Sequence, residues 1–371
     1  MVKDNKKINQ LSVSFFDLPK ETKDLIRKVQ LKHKISEQYH QQYFGNTPSI
    51  NGARAFGRML VSVGGNIYQS SNPDFDWEKP SDFLVSYLKS SFGNFWLEDE
   101  LKKDYMEMHE IAKWYTKGVS NLEANDSNRW GRSNGRALSI LHLAYDLFIL
   151  ESVNQLPDFI IDRLRNNQNF NGARYELFVF ATLIRAGFTL EYSDERSGEN
   201  GRVPECLAVH TETNQKVYIE AKTRNVKNVL GSTQGKSKKL RIYDKLIDAM
   251  QKNVDGPYII FVDVNHPNIK AEKGHQEFEK LRSEYRKLEE SHKNAMPNLV
   301  CFTNIPFHYG ENERSPDSNM IGFMRPRNPK YKIEKKVLQD LDLSLKKYDY
   351  LPKEFQEGCA YADSIIDNTK A

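Results

Sequence analysis

The chain has 371 residues, of which 39% are hydrophobic and 28% are charged, and its formal net charge is only +4. This composition excludes an intrinsically disordered chain, and the length is sufficient for two domains that each close a hydrophobic core. The most apolar stretch, residues 141–150, contains His142 and Asp146 and is shorter than the roughly 20 residues that cross a bilayer. A soluble protein without a membrane partner is therefore expected.

The cysteines indicate a reducing compartment. Cys206, Cys301 and Cys359 are odd in number and far apart, which argues against a disulfide framework and against a zinc site built from neighbouring pairs. The first ten residues, MVKDNKKINQ, are basic but are followed by no apolar stretch, so they lack the pattern of a secretory signal. We expect a cytoplasmic protein.

The N-terminal part of the chain is expected to be a mainly helical domain, residues 1–155. All four tryptophans lie within the first 130 residues, and helical patterns occur at residues 20–34, 99–117 and 136–152. A proline and the polar run RNNQN follow, which favours a boundary there. We expect a second domain at residues 156–310 and a partly helical C-terminal extension at residues 311–371. The N-terminal aromatics Phe92, Phe95 and Trp96 are expected in a core, with base stacking as the alternative.

From residue 172 onward, helices and strands alternate. Helical patterns occur at residues 172–186, 239–252 and 276–292, and strand patterns at residues 188–192, 206–210, 217–222, 258–264 and 299–303. This order predicts an α/β sheet covered by helices on its faces.

The strand predicted at residues 217–222 carries an acid and a base on one face. Because side chains alternate across a strand, Glu220 and Lys222 project together, opposite Ile219 and Ala221. The same Glu-x-Lys spacing occurs three more times in the chain, where solvated charges are the simpler interpretation. Only Glu220 and Lys222 lie in a β-branched strand that follows another strand.

A second acid, Glu205, opens the preceding strand after Pro204. A hairpin through residues 211–215 would bring Glu205 towards Glu220. Two converging carboxylates repel each other unless a cation lies between them. Oxygen ligands of this kind suit Mg²⁺ or Mn²⁺.

A third acid, Glu176, lies on the apolar face of the helix at residues 172–186. It shares that face with Ala173, Val179, Phe180 and Leu183. One interpretation places Glu176 over the sheet near the other two acids, and the alternative is an ion pair with Arg174 or Arg185.

The pattern of Glu176, Pro204-Glu205 and Glu220-Ala221-Lys222 resembles the PD-(D/E)XK nuclease superfamily over about residues 170–265. The resemblance implies a restriction-endonuclease-like mixed sheet flanked by helices, here preceded by the mainly helical N-terminal domain. It also implies that Glu205 and Glu220 bind the metal, that Lys222 orients the attacking water and that Glu176 is an auxiliary ligand. The first acid of the motif is usually aspartate, so Glu205 is a departure that puts activity in question.

These residues predict a Mg²⁺- or Mn²⁺-dependent nuclease that hydrolyses phosphodiester bonds, with DNA as the expected substrate. A stand-alone nuclease would fit bacterial restriction or anti-phage defence by analogy. The alternatives are a nucleic-acid-binding or assembly module that has lost catalysis, and a nuclease acting on RNA. A homodimer is left open, and a mechanism through Cys206 has little support because no histidine pattern accompanies it.

A basic segment follows the motif and is the expected contact for the phosphate backbone. Its glycines, Gly231 and Gly235, are typical of a flexible loop, and a solvated loop is the alternative. The expected nucleic-acid-binding residues are Arg224, Lys227, Lys236, Lys238, Lys239 and Arg241.

Overall fold

The computed structural model describes residues 47–55, 58–70, 77–123, 135–193, 203–225, 242–252, 254–265, 271–292, 295–305 and 320–356, with isolated positions between residues 20 and 40. Residues Gly45–Phe355 form one compact unit, and Met1–Phe44 with Gln356–Ala371 form another. All elements named below belong to the larger unit. Most of the helix predicted at residues 20–34 lies outside the described residues.

The N-terminal part of the larger unit begins with a three-stranded antiparallel sheet that was not predicted. Gly64 and Gly65 both have positive φ and connect its second and third strands, a conformation that favours a tight hairpin. The strands are β1 (Gly52–Ala55), β2 (Arg58–Val63) and β3 (Asn66–Gln69). The helices that follow are α1 (Pro80–Phe92), α2 (Asn94–Leu101), α3 (Glu110–Glu123) and α4 (Gly135–Ser152).

The single helix predicted at residues 99–117 is wrong, because α2 and α3 are separate. The backbone carbonyl of Asp104 accepts hydrogen bonds from the amides of Glu107 and Met108, which turns the chain between the helices. The Glu100 carboxylate accepts a hydrogen bond from the His109 amide at 2.9 Å, at the start of α3. At His109, a hydrogen bond to a nearby side chain therefore takes the place of the backbone hydrogen bond that a continuous helix would form.

A six-stranded mixed sheet forms the second half of the unit, with strand order β4-β5-β6-β7-β8-β9. The pairs β6-β7 and β7-β8 are parallel and the other three pairs are antiparallel. The strands are β4 (Phe188–Tyr192), β5 (Cys206–His210), β6 (Lys216–Thr223), β7 (Tyr258–Asp263), β8 (Leu299–Asn304) and β9 (Met320–Met324). The helices are α5 (Phe159–Arg165), α6 (Phe170–Arg185), α7 (Tyr243–Met250), α8 (Ala271–Ser291) and α9 (Lys335–Lys346).

The predicted α/β architecture is confirmed, because helices cover both faces of this sheet. On one face, α6 packs against β4 and β6 and is itself covered by α4 and α9. On the other face, α7 and α8 cover an apolar cluster that includes Ile260, Val262 and Phe302. In β9, Gly322 provides the space into which the Phe278 ring of α8 fits. Among the described helices, none has both the length and the apolar character to span a bilayer.

Three parts of the chain that were expected to be separate domains share one core. Arg174 of α6 donates hydrogen bonds to Asp146 of α4 at 2.8 Å and to the Tyr348 hydroxyl, which follows α9, at 3.0 Å. The Tyr348 hydroxyl also donates to Asp146 at 2.8 Å, and all three side chains are buried. The boundaries expected near residues 155 and 310 therefore lie inside the larger unit. The apolar faces of α4 and α6 pack against each other within this core.

Candidate active site

The β5-β6 hairpin brings Glu205 and Glu220 opposite each other. Cys206 pairs with Ile219, and the preceding Glu205 amide donates to the Ile219 carbonyl at 2.9 Å. Continuing this antiparallel register by one residue places Glu205 across from Glu220. Asn214 has a φ of 58° and closes the turn at the other end of the hairpin. The hairpin predicted through residues 211–215 is therefore observed.

Alternation along β6 separates its two faces as predicted. Val217, Ile219 and Ala221 are buried in the core beneath α6. Glu220 and Lys222 project from the opposite face, where the Glu220 side chain is 0% exposed and that of Lys222 is 23% exposed. The Glu220 side chain is thus shielded from solvent, whereas the Lys222 side chain is partly exposed.

Two lysines neutralise the Glu220 carboxylate. Lys222 contacts Oε1 through its ammonium group, and the Lys252 ammonium lies 3.5 Å from the same oxygen. Lys252 also donates a hydrogen bond to the Val203 carbonyl at 2.8 Å, two residues before Glu205. It therefore links the segment that carries Glu205 to the strand that carries Glu220. Lys252 was not predicted to belong to the site, because it follows α7 and no sequence spacing relates it to Glu220.

The burial of this site shifts the pKa values of its groups. Burial raises the pKa of Glu220, although Lys222 and Lys252 oppose the rise. Burial lowers the pKa of Lys222, but the carboxylates of Glu220, Glu205 and Glu176 outweigh this and raise it above its ordinary value. Lys222 is therefore firmly cationic, and all three predicted acids lie close enough to act on it.

One oxygen of the Glu220 carboxylate is suited to a divalent cation. The second carboxylate oxygen of Glu220, Oε2, is buried and accepts no hydrogen bond from any described residue. An unsatisfied buried carboxylate oxygen is costly, and a cation would remove that cost. Within the described parts of the chain, no three His, Cys, Asp or Glu side chains converge closely enough to bind one ion. Glu220 thus offers one unsatisfied oxygen to a cation, and Glu205 lies across from it in the strand register.

Glu176 lies near this site, but its carboxylate binds an arginine. Arg163 of α5 donates two hydrogen bonds to it, Nη1 to Oε2 and Nη2 to Oε1, each at 2.6 Å. The Glu176 side chain is 7% exposed. Neither alternative partner from the sequence pairs with Glu176 here, since Arg174 binds Asp146 and Arg185 binds backbone carbonyls after α9. Sequence reasoning missed Arg163 because it lies on a different helix.

Of the expected phosphate-binding residues, the structure describes only Arg224. Its side chain is buried, and Nη2 donates to the Asn265 carbonyl at 3.0 Å. The Asn265 side-chain amide donates in return to the Arg224 carbonyl at 2.8 Å. These two hydrogen bonds join the chain after β6 to the chain after β7. The remaining residues of this set, Lys227, Lys236, Lys238, Lys239 and Arg241, lie outside the described residues.

A polar cluster at the carboxyl ends of the parallel strands was not predicted. Register aligns Thr223 of β6, Asp263 of β7 and Thr303 of β8 in one row. Asp263 accepts hydrogen bonds from the Asn265 amide at 3.1 Å and from the Thr223 hydroxyl at 3.4 Å. Burial raises its pKa to about 7 despite these bonds. The sequence could have indicated this cluster, because Asp263 ends a very apolar strand and ligands often bind at that position in α/β sheets.

The remaining candidate residues divide between core and surface. Cys206 and Cys301 are free thiols in the core, and burial raises the pKa of both, so the nucleophilic thiolate is disfavoured. Among the N-terminal aromatics, Phe92 is buried in the core as expected, and Trp96 packs at its edge. Phe95 differs, because its side chain is 82% exposed.

Comparisons of this chain with protein-family models, with curated proteins and with solved structures found no match.

Proposed function

We propose that this protein is a divalent-metal-dependent nuclease that hydrolyses phosphodiester bonds of DNA. The observation that carries the proposal is the placement of Glu205 opposite Glu220 in the β5-β6 hairpin, with Lys222 on the same face of β6 as Glu220. The element order α6, β4, β5, β6, α7, β7 supports a restriction-endonuclease-like core, because it is the order that the motif resemblance implies.

In this proposal each side chain has a separate task. Glu205 and Glu220 would hold the cation, which would be Mg²⁺ or Mn²⁺. When bound, the cation polarises the phosphate and lowers the pKa of a water molecule. Lys222 stabilises negative charge near the scissile phosphate, for which its raised pKa keeps it protonated. Glu176, fixed by Arg163, adds negative charge beside Lys222.

The proposal is tested by cleavage assays with Glu220→Gln and Lys222→Ala. Each variant is incubated with plasmid DNA, single-stranded DNA and RNA, in Mg²⁺, Mn²⁺ or EDTA. We expect wild-type cleavage of DNA that requires metal and a loss of at least about 100-fold in each variant, comparable to the loss of other transition-state donors. The matched controls are Glu98→Gln in α2 and Lys102→Ala just after it, both at exposed positions. Metal-dependent cutting that survives both site substitutions would exclude this site, and cutting of RNA alone would change the substrate.

A second candidate is a nucleic-acid-binding or assembly module of the same fold without catalysis. The observation that favours it is charge compensation by the protein itself, since two lysines contact Glu220 and Arg163 holds Glu176. Acids that are already neutralised need a metal less. DNA binding by wild-type protein in EDTA, without cleavage in Mg²⁺ or Mn²⁺, would favour this candidate.

For the nuclease proposal, a role in bacterial restriction or anti-phage defence rests on analogy with other stand-alone nucleases of this kind.

A further inference from the structure

A second basic surface lies between β9 and α9, within residues 325–335. The segment alternates between buried residues, such as Pro326 and Ile333, and exposed cations. The exposed cations are Arg325, Arg327, Lys330, Lys332 and Lys335. Arg327 acts electrostatically on the Glu289 carboxylate, and we call the other four the 325–335 surface. Among the described residues, none forms a salt bridge with these four cations, whereas Lys336 beyond them pairs with Glu212 and Asp340.

Hydrogen bonds from three other parts of the chain fix the backbone of this segment. Asn298, before β8, donates to the Tyr331 carbonyl at 2.6 Å. Gln215, in the β5-β6 turn, donates to the Lys332 carbonyl at 2.9 Å and accepts from the Glu334 amide at 2.8 Å. Glu289 of α8 accepts from the Arg327 amide. The protein thus fixes the backbone that carries these cations.

The 325–335 surface borders a cleft with mixed polar and apolar walls. The cleft has a volume of about 430 Å³, and its lining includes Asn298, Arg325, Tyr331, Lys332 and Lys335. The Lys330 ammonium lies over the Tyr331 ring, 5.1 Å from its centre. Cations interleaved with an aromatic ring are the composition that binds nucleic-acid backbones.

One residue that lines this cleft, Tyr331, lies near Tyr218 of β6. A hydrogen bond to Asp255 raises the pKa of Tyr218, and the nearby Tyr331 hydroxyl adds to the rise, so the two phenols are close. Tyr218 shares its face of β6 with Glu220 and Lys222. From Gln215, which contacts Lys332, the strand runs about 16 Å to Glu220, given about 3.3 Å per residue. That distance corresponds to about five base pairs of duplex.

We propose that the 325–335 surface binds the phosphate backbone of double-stranded DNA about five base pairs from the cleaved bond. This inference rests on the proposed function for the choice of DNA as the occupant. Cations that form no salt bridge with a described acid release counterions when they bind phosphates, which makes such contacts favourable and dependent on salt. The surface thus adds a second contact to the duplex beyond the catalytic residues.

The test measures binding of the full chain to a labelled duplex of about 30 base pairs in EDTA, so that no cleavage is needed; this length exceeds the proposed spacing severalfold. The variant carries Arg325→Gln, Lys330→Gln, Lys332→Gln and Lys335→Gln. The control removes the same charge at four exposed lysines elsewhere, Lys102, Lys117, Lys287 and Lys346. We expect the variant to bind at least about tenfold more weakly than the control. Its slope of log Kd against log salt should fall by about 0.9 for each phosphate that the variant no longer neutralises.

Equal binding by the variant and the control would overturn the inference, even if wild-type protein cuts DNA. Binding that depends on the 325–335 surface would support the DNA contact, though not its distance from a cleaved bond, even if the wild type never cuts, so the two proposals fail separately. Weaker binding of the variant to an RNA duplex but not to DNA would overturn the assignment to DNA. Melting temperatures of all variants check folding, and if the fourfold variant melts early, Lys332→Gln and Lys335→Gln are tested singly.

Discussion

Glu220 is a fully buried carboxylate that depends on lysines from two different elements. Lys222 comes from the same strand, and Lys252 follows α7. Burying a charge is costly unless partners compensate it, so removing one partner should cost more than removing the whole group. The free energy of unfolding should therefore respond differently to substitution of the acid and of its lysine.

We expect Lys222→Met to lower the free energy of unfolding by about 2–3 kcal/mol, because it leaves the Glu220 charge with Lys252 alone. Glu220→Gln should cost less, and the double variant should be more stable than Lys222→Met. The measurement is urea denaturation in EDTA. Additive losses in the double variant would contradict the coupling of these two residues.

The pair of Arg163 and Glu176 supports a similar experiment that separates structure from catalysis. We expect Arg163→Leu to reduce stability by about 2 kcal/mol, since Glu176 is nearly buried and loses two hydrogen bonds. Glu176→Gln keeps one acceptor oxygen for Arg163, whose side chain is 29% exposed, so it should cost less than Arg163→Leu. If Glu176 also supports catalysis, Glu176→Gln lowers cleavage by more than its loss of stability explains. Unchanged cleavage by Glu176→Gln would assign it a structural role alone.

Among the elements, the three parallel strand ends place a buried acid between two threonines. Asp263 lies in register with Thr223 and Thr303, and the Tyr175 hydroxyl lies 2.8 Å from the Thr303 hydroxyl. Arg224 and Arg174 act on Asp263 electrostatically, and they lower its pKa against the larger effect of burial. The folded protein therefore favours the protonated form more than an unfolded chain does.

This shift predicts a dependence of stability on pH. Unfolded aspartate has a pKa of about 3.9, whereas that of folded Asp263 is about 7. The stabilisation from its protonated form is complete below pH ~4 and is lost as the pH rises through ~7. Asp263→Asn should therefore gain stability relative to wild type between pH ~4 and ~8, by a few kcal/mol on the order of the pKa difference. Thermal unfolding across that range measures it, with Asp244→Asn at an exposed position of α7 as the control. A gain independent of pH would contradict the assignment.

The elements of the central sheet were predictable where the local pattern was strong. Strand β4 matches its prediction at residues 188–192, and β7 and β8 read as continuous apolar runs because both their faces are buried. The short strand β9 was missed because Met320–Met324 contains Gly322, which weakens a strand signal. Gly322 is explained only by the Phe278 ring of α8, a contact between residues distant in the sequence.

For the molecule as a whole, the buried triad of Asp146, Arg174 and Tyr348 joins segments that composition suggested were separate. We expect Arg174→Met to reduce stability by about 3 kcal/mol or more, because Asp146 would remain buried without its cation. The double variant Asp146→Leu with Arg174→Met should recover part of the loss.

Denaturant unfolding should also show one transition for the whole unit Gly45–Phe355. Two transitions, with only one affected, would favour separate domains.

The sequence by itself determined the elements and the pairing that make the candidate site. Period-two alternation in residues 217–222 set Glu220 and Lys222 on one face, and the short link to residues 206–210 set Glu205 across from Glu220, because both depend on neighbours along the chain. Only the tertiary structure decided which cations meet these acids. Lys252 reaches Glu220, and Arg163 reaches Glu176, from other elements, and such pairings follow from packing rather than from spacing. Packing likewise decided that residues on both sides of position 155 belong to one core, since the apolar faces of α4 and α6 are complementary only in three dimensions.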